Sequence, residues 1–192
     1  MNLNDNIKKI LVTQEEIEKR CIELAKELDK DYCDKKPLIL SLLKGSMPFT
    51  VELTKYMTIP LDYDYMRASS YHGGTVSCGN VAVSIMPTTN LQGRNILIIE
   101  DIIDTGTTLS TVVKILEELH PASIEIATLL DKPSRRIVAD IKPKYVGFVI
   151  PDEFRDPPQR QSGQHLPEDT GGHHRGHWRR TLWGCGQPRH AA

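Results

Sequence analysis

The run Asn95-Ile96-Leu97-Ile98-Ile99 constrains the fold more than any other stretch of the chain. It is apolar at successive positions and too short for a helix, so it reads as a strand buried on both faces. Three carboxylates (Glu100, Asp101 and Asp104) follow at once, then Thr105-Gly106-Thr107-Thr108, then Leu109, Val112, Val113, Leu116 and Leu119 on one helical face over 107–119. Comparable apolar runs stand at 38–43, 124–130 and 145–150, with strand patterns at 61–66 and 81–85. Thr13-x-x-Glu16 is a capping box opening a helix to about residue 29, with Ile17, Cys21, Leu24, Ala25 and Leu28 at its apolar spacing. A second helix is expected over 48–57, and 67–75 reads as a polar, Gly-containing loop. Strands alternating with helices predict an α/β fold, a mainly parallel sheet covered on both faces. Ligands in such sheets bind at the carboxyl ends of strands, which singles out the loops after Leu43, Ile99, Leu130 and Ile150.

Of these loops, 100–108 carries the strongest chemical signal. Three acids within five residues repel one another unless a cation or hydroxyl donors offset them. The adjoining T-G-T-T turn supplies hydroxyls, a glycine that permits close backbone approach, and the unsatisfied N–H groups of a starting helix, the makings of a phosphate cradle. The rival reading has Asp104 capping the helix and Glu100 and Asp101 merely solvated. A Walker A loop is excluded, because G-x-x-x-x-G-K-[ST] does not occur there.

The chain has 192 residues with a net charge of −1, enough for one core plus a small appendage and without a global field for nucleic acid or anionic membranes. No stretch approaches the roughly 20 apolar residues of a membrane span, so a cytoplasmic protein is expected. Cys21, Cys33, Cys78 and Cys185 show no C-x-x-C spacing and are expected as reduced thiols. Composition breaks after Phe154. Residues 155–192 hold six Arg, three acids and no Lys, Ile, Val, Phe, Tyr or Met, together with His165, His173, His174, His177, His190, Trp178 and Trp183. Residues 1–154 are therefore expected to form the domain. The remainder is expected to be disordered and to derive from out-of-frame translation or a cloning junction, the alternative being a metal- or RNA-binding tail.

Residues 98–108, Ile-Ile-Glu-Asp-Ile-Ile-Asp-Thr-Gly-Thr-Thr, resemble the phosphoribosyl-pyrophosphate (PRPP) binding motif of the type I phosphoribosyltransferases. Over roughly 7–154 the chain resembles the bacterial branch of that family acting on hypoxanthine and guanine. Leu43-Lys44-Gly45 is similar to its pyrophosphate loop, whose Leu-Lys peptide bond is commonly cis, and Ser70-Tyr71 to a pair in its mobile loop. Lys132 matches the contact to the purine 6-oxo group, Arg136 a pyrophosphate-side arginine, and Phe154 the stacking ring of a small hood over the base. The resemblance implies transfer of ribose 5-phosphate from PRPP to hypoxanthine or guanine, with release of pyrophosphate. Asp104 would act as general base. Glu100 and Asp101 would hold the ribose hydroxyls or Mg²⁺, and Thr105, Gly106, Thr107 and Thr108 the 5′-phosphate. A homodimer or homotetramer is implied, with no membrane or nucleic-acid partner.

After Phe154 the family continues V-V-G-Y-x-L-D-Y with a downstream arginine, whereas this chain reads Arg155-Asp156-Pro157-Pro158-Gln159-Arg160. The hood is therefore expected to be incomplete, the PRPP half of the site intact and the purine half damaged. A PRPP-sensing regulator on the same fold would need a basic surface, yet residues 1–154 hold 18 Lys+Arg against 22 Asp+Glu. Lys132 and residues 150–154 argue against an adenine, orotate or uracil enzyme.

Overall fold

The computed structural model describes residues 10–70 and 81–152, and the described residues from Arg20 onward belong to one compact unit. Helix α1 (Gln14–Asp31) opens on the expected capping box, with the Thr13 N–H donating to Glu16 Oε2 at 2.7 Å and the Glu16 N–H to Thr13 Oγ1 at 3.2 Å. Strand β1 (Leu38–Leu42) is buried at every position. Helix α2 (Met47–Thr54) leads to β2 (Asp62–Ser70), which β3 (Val81–Ile85) joins antiparallel. Strand β4 (Asn95–Ile103), helix α3 (Thr107–Glu117), β5 (Ser123–Asp131) and β6 (Tyr145–Val149) complete the fold. The sheet runs β3-β2-β1-β4-β5-β6, and every neighbouring pair except β2–β3 is parallel.

Three expectations need correction. Arg67 to Ser70, expected as the start of a loop over 67–75, pair with β3 instead, and residues 71–75 lie outside the described residues. Strand β4 runs on through Glu100 and Asp101, since its ladder with β5 continues to Ile103↔Asp131. Between β5 and β6 stands only a 3₁₀ turn, Pro133–Arg135, where the repeating pattern implied a helix.

Alternation along β1 divides the interior. Leu38, Leu40 and Leu42 join Met66, Ile96, Ile98 and the α3 residues Leu109, Val112 and Leu116 in one core. Ser41 points the other way, to α2: Thr50 Oγ1 donates to Ser41 Oγ at 2.9 Å, and Ser46 Oγ lies 2.6 Å from Ser41 Oγ. This fully buried hydroxyl cluster fastens the start of α2 to the end of β1, and with it the intervening loop.

At the far side of β1, Asp64 fastens β2 to the segment before β4. Its carboxylate accepts from the N–H groups of Tyr65 (2.6 Å), Thr88 (2.9 Å) and Thr89 (2.7 Å). Burial alone pushes the carboxyl up, but the hydrogen bonds from Thr89, Tyr65 and Thr88 outweigh it and hold Asp64 below the usual carboxylate range. A carboxyl depressed on folding stabilises above its unfolded pKa, and that contribution disappears as pH falls through its folded value. Asp64→Asn is expected to cost about 1.5–3 kcal/mol at pH 7, the difference shrinking below about pH 4. Urea unfolding at both pH values measures it; an equal difference at pH 7 and pH 3 contradicts the assignment.

Among the described residues no helix is long and apolar enough to cross a membrane, and the buried Cys21 and the exposed Cys33 are outside any disulfide.

Candidate active site

Strand order reverses between β1 and β4, whose following connections lead to opposite sides of the sheet. Such a switch point leaves a crevice at the strands' carboxyl ends. The loops 43–46 and 104–106 flank it, and the first of them touches the end of β4. Gly45 is buried, and a Cβ built on it would fall 2.6 Å from Asp101 Cγ, so a side chain there would displace the Asp101 carboxylate. The Leu43–Lys44 peptide bond is cis, and Lys44 is exposed beside it.

Asp101 accepts from the Ile102 N–H at 3.0 Å, and Glu100 and Asp101 are half-buried at the end of β4. Among the described residues no three His, Cys, Asp or Glu side chains form a metal cage. Two neighbouring carboxylates are hard oxygen donors that suit Mg²⁺, an ion that keeps much of its water and takes few protein ligands when it also binds a polyphosphate.

Helix α3 does not use Asp104 as its cap. Gly106 holds that position at φ 81°, a left-handed conformation that glycine adopts without strain, and no side chain caps the helix. Its first turn contains no acid. The first amides of the helix, of which the Thr107 N–H donates to Thr105 Oγ1 at 3.4 Å, stand beside the Thr105, Thr107 and Thr108 hydroxyls, an arrangement that suits an anion and is favoured by the helix dipole. Thr105 Oγ1 lies 3.2 Å from Thr107 Oγ1, and the Thr105 carbonyl accepts from Ile137 at 3.0 Å and Val138 at 3.2 Å, which ties the cradle to the β5–β6 connection.

Lys132 is no surface lysine. It is 4 % exposed, and its N–H donates to the Ile103 carbonyl at 3.0 Å. Arg136, expected beside the pyrophosphate, is turned to the protein, with Nη2 donating to Asp131 and Nη1 to the Asp104 carbonyl at 3.2 Å. Arg135, which the sequence did not single out, carries Nε 2.8 Å from Asp104 Oδ1. The pair is at ion-pair distance, yet Oδ1 receives no aligned hydrogen bond. Two adjacent arginines offer no pattern to separate them; the 3₁₀ turn does so by sending them to different acids. The Ser70 backbone ends β2, and Tyr71 and Phe154 lie outside the described residues.

Residues 8–162 match the phosphoribosyl transferase domain model. The hypoxanthine-guanine phosphoribosyltransferase of Lactococcus lactis is 50% identical over 153 residues, covering 80% of this chain and 82% of that protein. A crystal structure of a hypoxanthine phosphoribosyltransferase from Staphylococcus aureus superposes with a TM-score of 0.74 at 45% identity, covering 79% of this chain and 82% of that one. A structure addressing the role of the C-terminal region in the oligomeric state and activity of Trypanosoma cruzi hypoxanthine phosphoribosyl transferase gives 0.70 at 34%, covering 76% and 79%. With sequence, sheet order and solved neighbours in agreement, the chain belongs to the phosphoribosyltransferase family.

Proposed function

We propose that the chain salvages purines, moving ribose 5-phosphate from PRPP to N9 of hypoxanthine or guanine to give inosine or guanosine monophosphate. The observation that carries this is the uncapped start of α3 facing the β1/β4 crevice, where Gly45 meets Asp101. Thr105 to Thr108 hold the 5′-phosphate, and Glu100 and Asp101 hold the ribose hydroxyls. As the ribose C1 bond to pyrophosphate breaks and the C1–N9 bond forms, positive charge on the ring is stabilised by these carboxylates and Asp104 takes the purine proton. Leu43, Lys44 and Gly45 receive the pyrophosphate, while Arg136 holds the Asp104 main chain through its carbonyl. Lys132 donates to the 6-oxo group; Phe154 stacks on the base, and Ser70 and Tyr71 help to exclude water. Mg²⁺, held by Glu100 and Asp101, would neutralise charge on the leaving diphosphate.

Residues 1–154 form the catalytic domain in this reading, and 155–192 lack the purine-side residues of the family. A homodimer or homotetramer in the cytoplasm is proposed, self-association being supported by exposed Tyr63, Tyr65, Ile85 and Met86 on and beside the neighbouring strands β2 and β3. Calorimetric titration with Mg²⁺ and PRPP is expected to show binding, and inosine monophosphate formation to be measurable but slower than in the Lactococcus lactis relative. Failure to bind PRPP overturns the proposal; a rate equal to the relative's removes the claim of a damaged purine half.

A further inference from the structure

We propose that Arg135 is a positioning residue that fixes the Asp104 carboxylate for proton transfer. The inference rests on the function proposed above and adds a residue to it. Arg135 stands at the end of the 3₁₀ turn Pro133–Arg135, whose geometry is set by the Arg135 N–H donating to the Lys132 carbonyl at 3.1 Å. From there its guanidinium crosses to the loop after β4, with Nε 2.8 Å from Asp104 Oδ1 and Nη1 3.7 Å from Asp152 Oδ1. Both oxygens are covered, and neither receives an aligned hydrogen bond, so Arg135 is the cation between two acids, Asp104 and Asp152.

The Asp104 side chain as a whole is 41 % exposed although Oδ1 is covered, so the exposure belongs to the rest of it. The attraction of the guanidinium for one carboxylate oxygen favours the orientation that keeps that oxygen beside it and leaves the other oxygen to accept a proton. Arg136 completes the restraint from the backbone side, through Nη1 on the Asp104 carbonyl, while its Nη2 is engaged by Asp131. The adjacent arginines thus divide the work, one on the side chain of Asp104 and one on its main chain.

The test compares Arg135→Ala, Arg135→Lys, Asp104→Asn and the double substitution Arg135→Ala/Asp104→Asn in the full chain, reading inosine monophosphate formation and PRPP affinity. Arg135→Ala is expected to lower kcat about tenfold or more with PRPP affinity held within about twofold, because only the alignment of a reacting group is lost. Arg135→Lys, which keeps the charge and guards against misfolding of the alanine variant, should recover part of that loss. In the Asp104→Asn background, Arg135→Ala should cost nothing further, since groups acting through one another are not additive. An equal cost in both backgrounds, or no cost where Asp104→Asn alone is damaging, overturns the inference and leaves the proposed function standing. An undiminished rate for Asp104→Asn, or no product from the unsubstituted chain, rejects the proposed function and the inference together.

Discussion

Asp104→Asn is expected to lower the rate of inosine monophosphate formation by about 10²–10⁴-fold, the usual contribution of a positioned acid or base, and to leave PRPP affinity within about twofold. The amide has the shape of the carboxylate and can stay beside Arg135, so the loop should not rearrange. What it lacks is a basic oxygen. Without one, the proton of the incoming purine must pass to water as the C1–N9 bond forms. The proposed phosphate cradle comprises Thr105 to Thr108 and the first amides of α3, whose hydrogen bonds do not run through the Asp104 carboxylate. A fall in kcat with unchanged PRPP affinity therefore separates a group used in the transition state from one used in ground-state binding. Stopped assays on the purified variant, with calorimetric titration of PRPP, measure both quantities. A parallel loss of the two would place Asp104 in the phosphate site instead.

The features legible in the sequence were those written in local pattern. The capping box at Thr13 and Glu16, the apolar strand runs and the T-G-T-T helix start each occupy a few consecutive residues, and each appears where its spacing puts it. What escaped was set by partners distant in the chain. Charge at Glu100 and Asp101 reads as the end of a strand, but pairing of Glu100 with Thr128 and of Ile102 with Leu130 carries β4 past them. Arg67 to Ser70 read as loop until β3 is laid beside them. The missing helix between β5 and β6 has the same origin. Ile137 and Val138 donate to the Thr105 carbonyl and Lys144 to the Ile126 carbonyl, so tertiary hydrogen bonds replace helical ones. Burial of Lys132 and the contact between Gly45 and Asp101 likewise exist only once separate strand ends converge.

Arg136→Ala is expected to destabilise the fold more than Asp64→Asn does, costing about 3–5 kcal/mol, the penalty of leaving a buried charge without its partner. The Arg136 and Asp131 side chains are 11 % and 10 % exposed, so water cannot readily replace the guanidinium. Against a total stability of roughly 5–15 kcal/mol for a domain, that loss is large. It also removes the hydrogen bond from Nη1 to the Asp104 carbonyl, and with it one tie between the β4–α3 loop and the β5–β6 connection. Replacing both partners by apolar residues of similar size, Arg136→Met with Asp131→Leu, should restore most of the stability, because neither charge of the pair is then left buried without the other. Catalysis should not recover with it, since the Asp104 main chain stays untethered. Denaturant unfolding of the single and double variants, run beside turnover, tests both halves. A stability for Arg136→Ala within about 1 kcal/mol of the unsubstituted chain would mean that Asp131 is solvated after all, and Arg136 would then be available to the pyrophosphate.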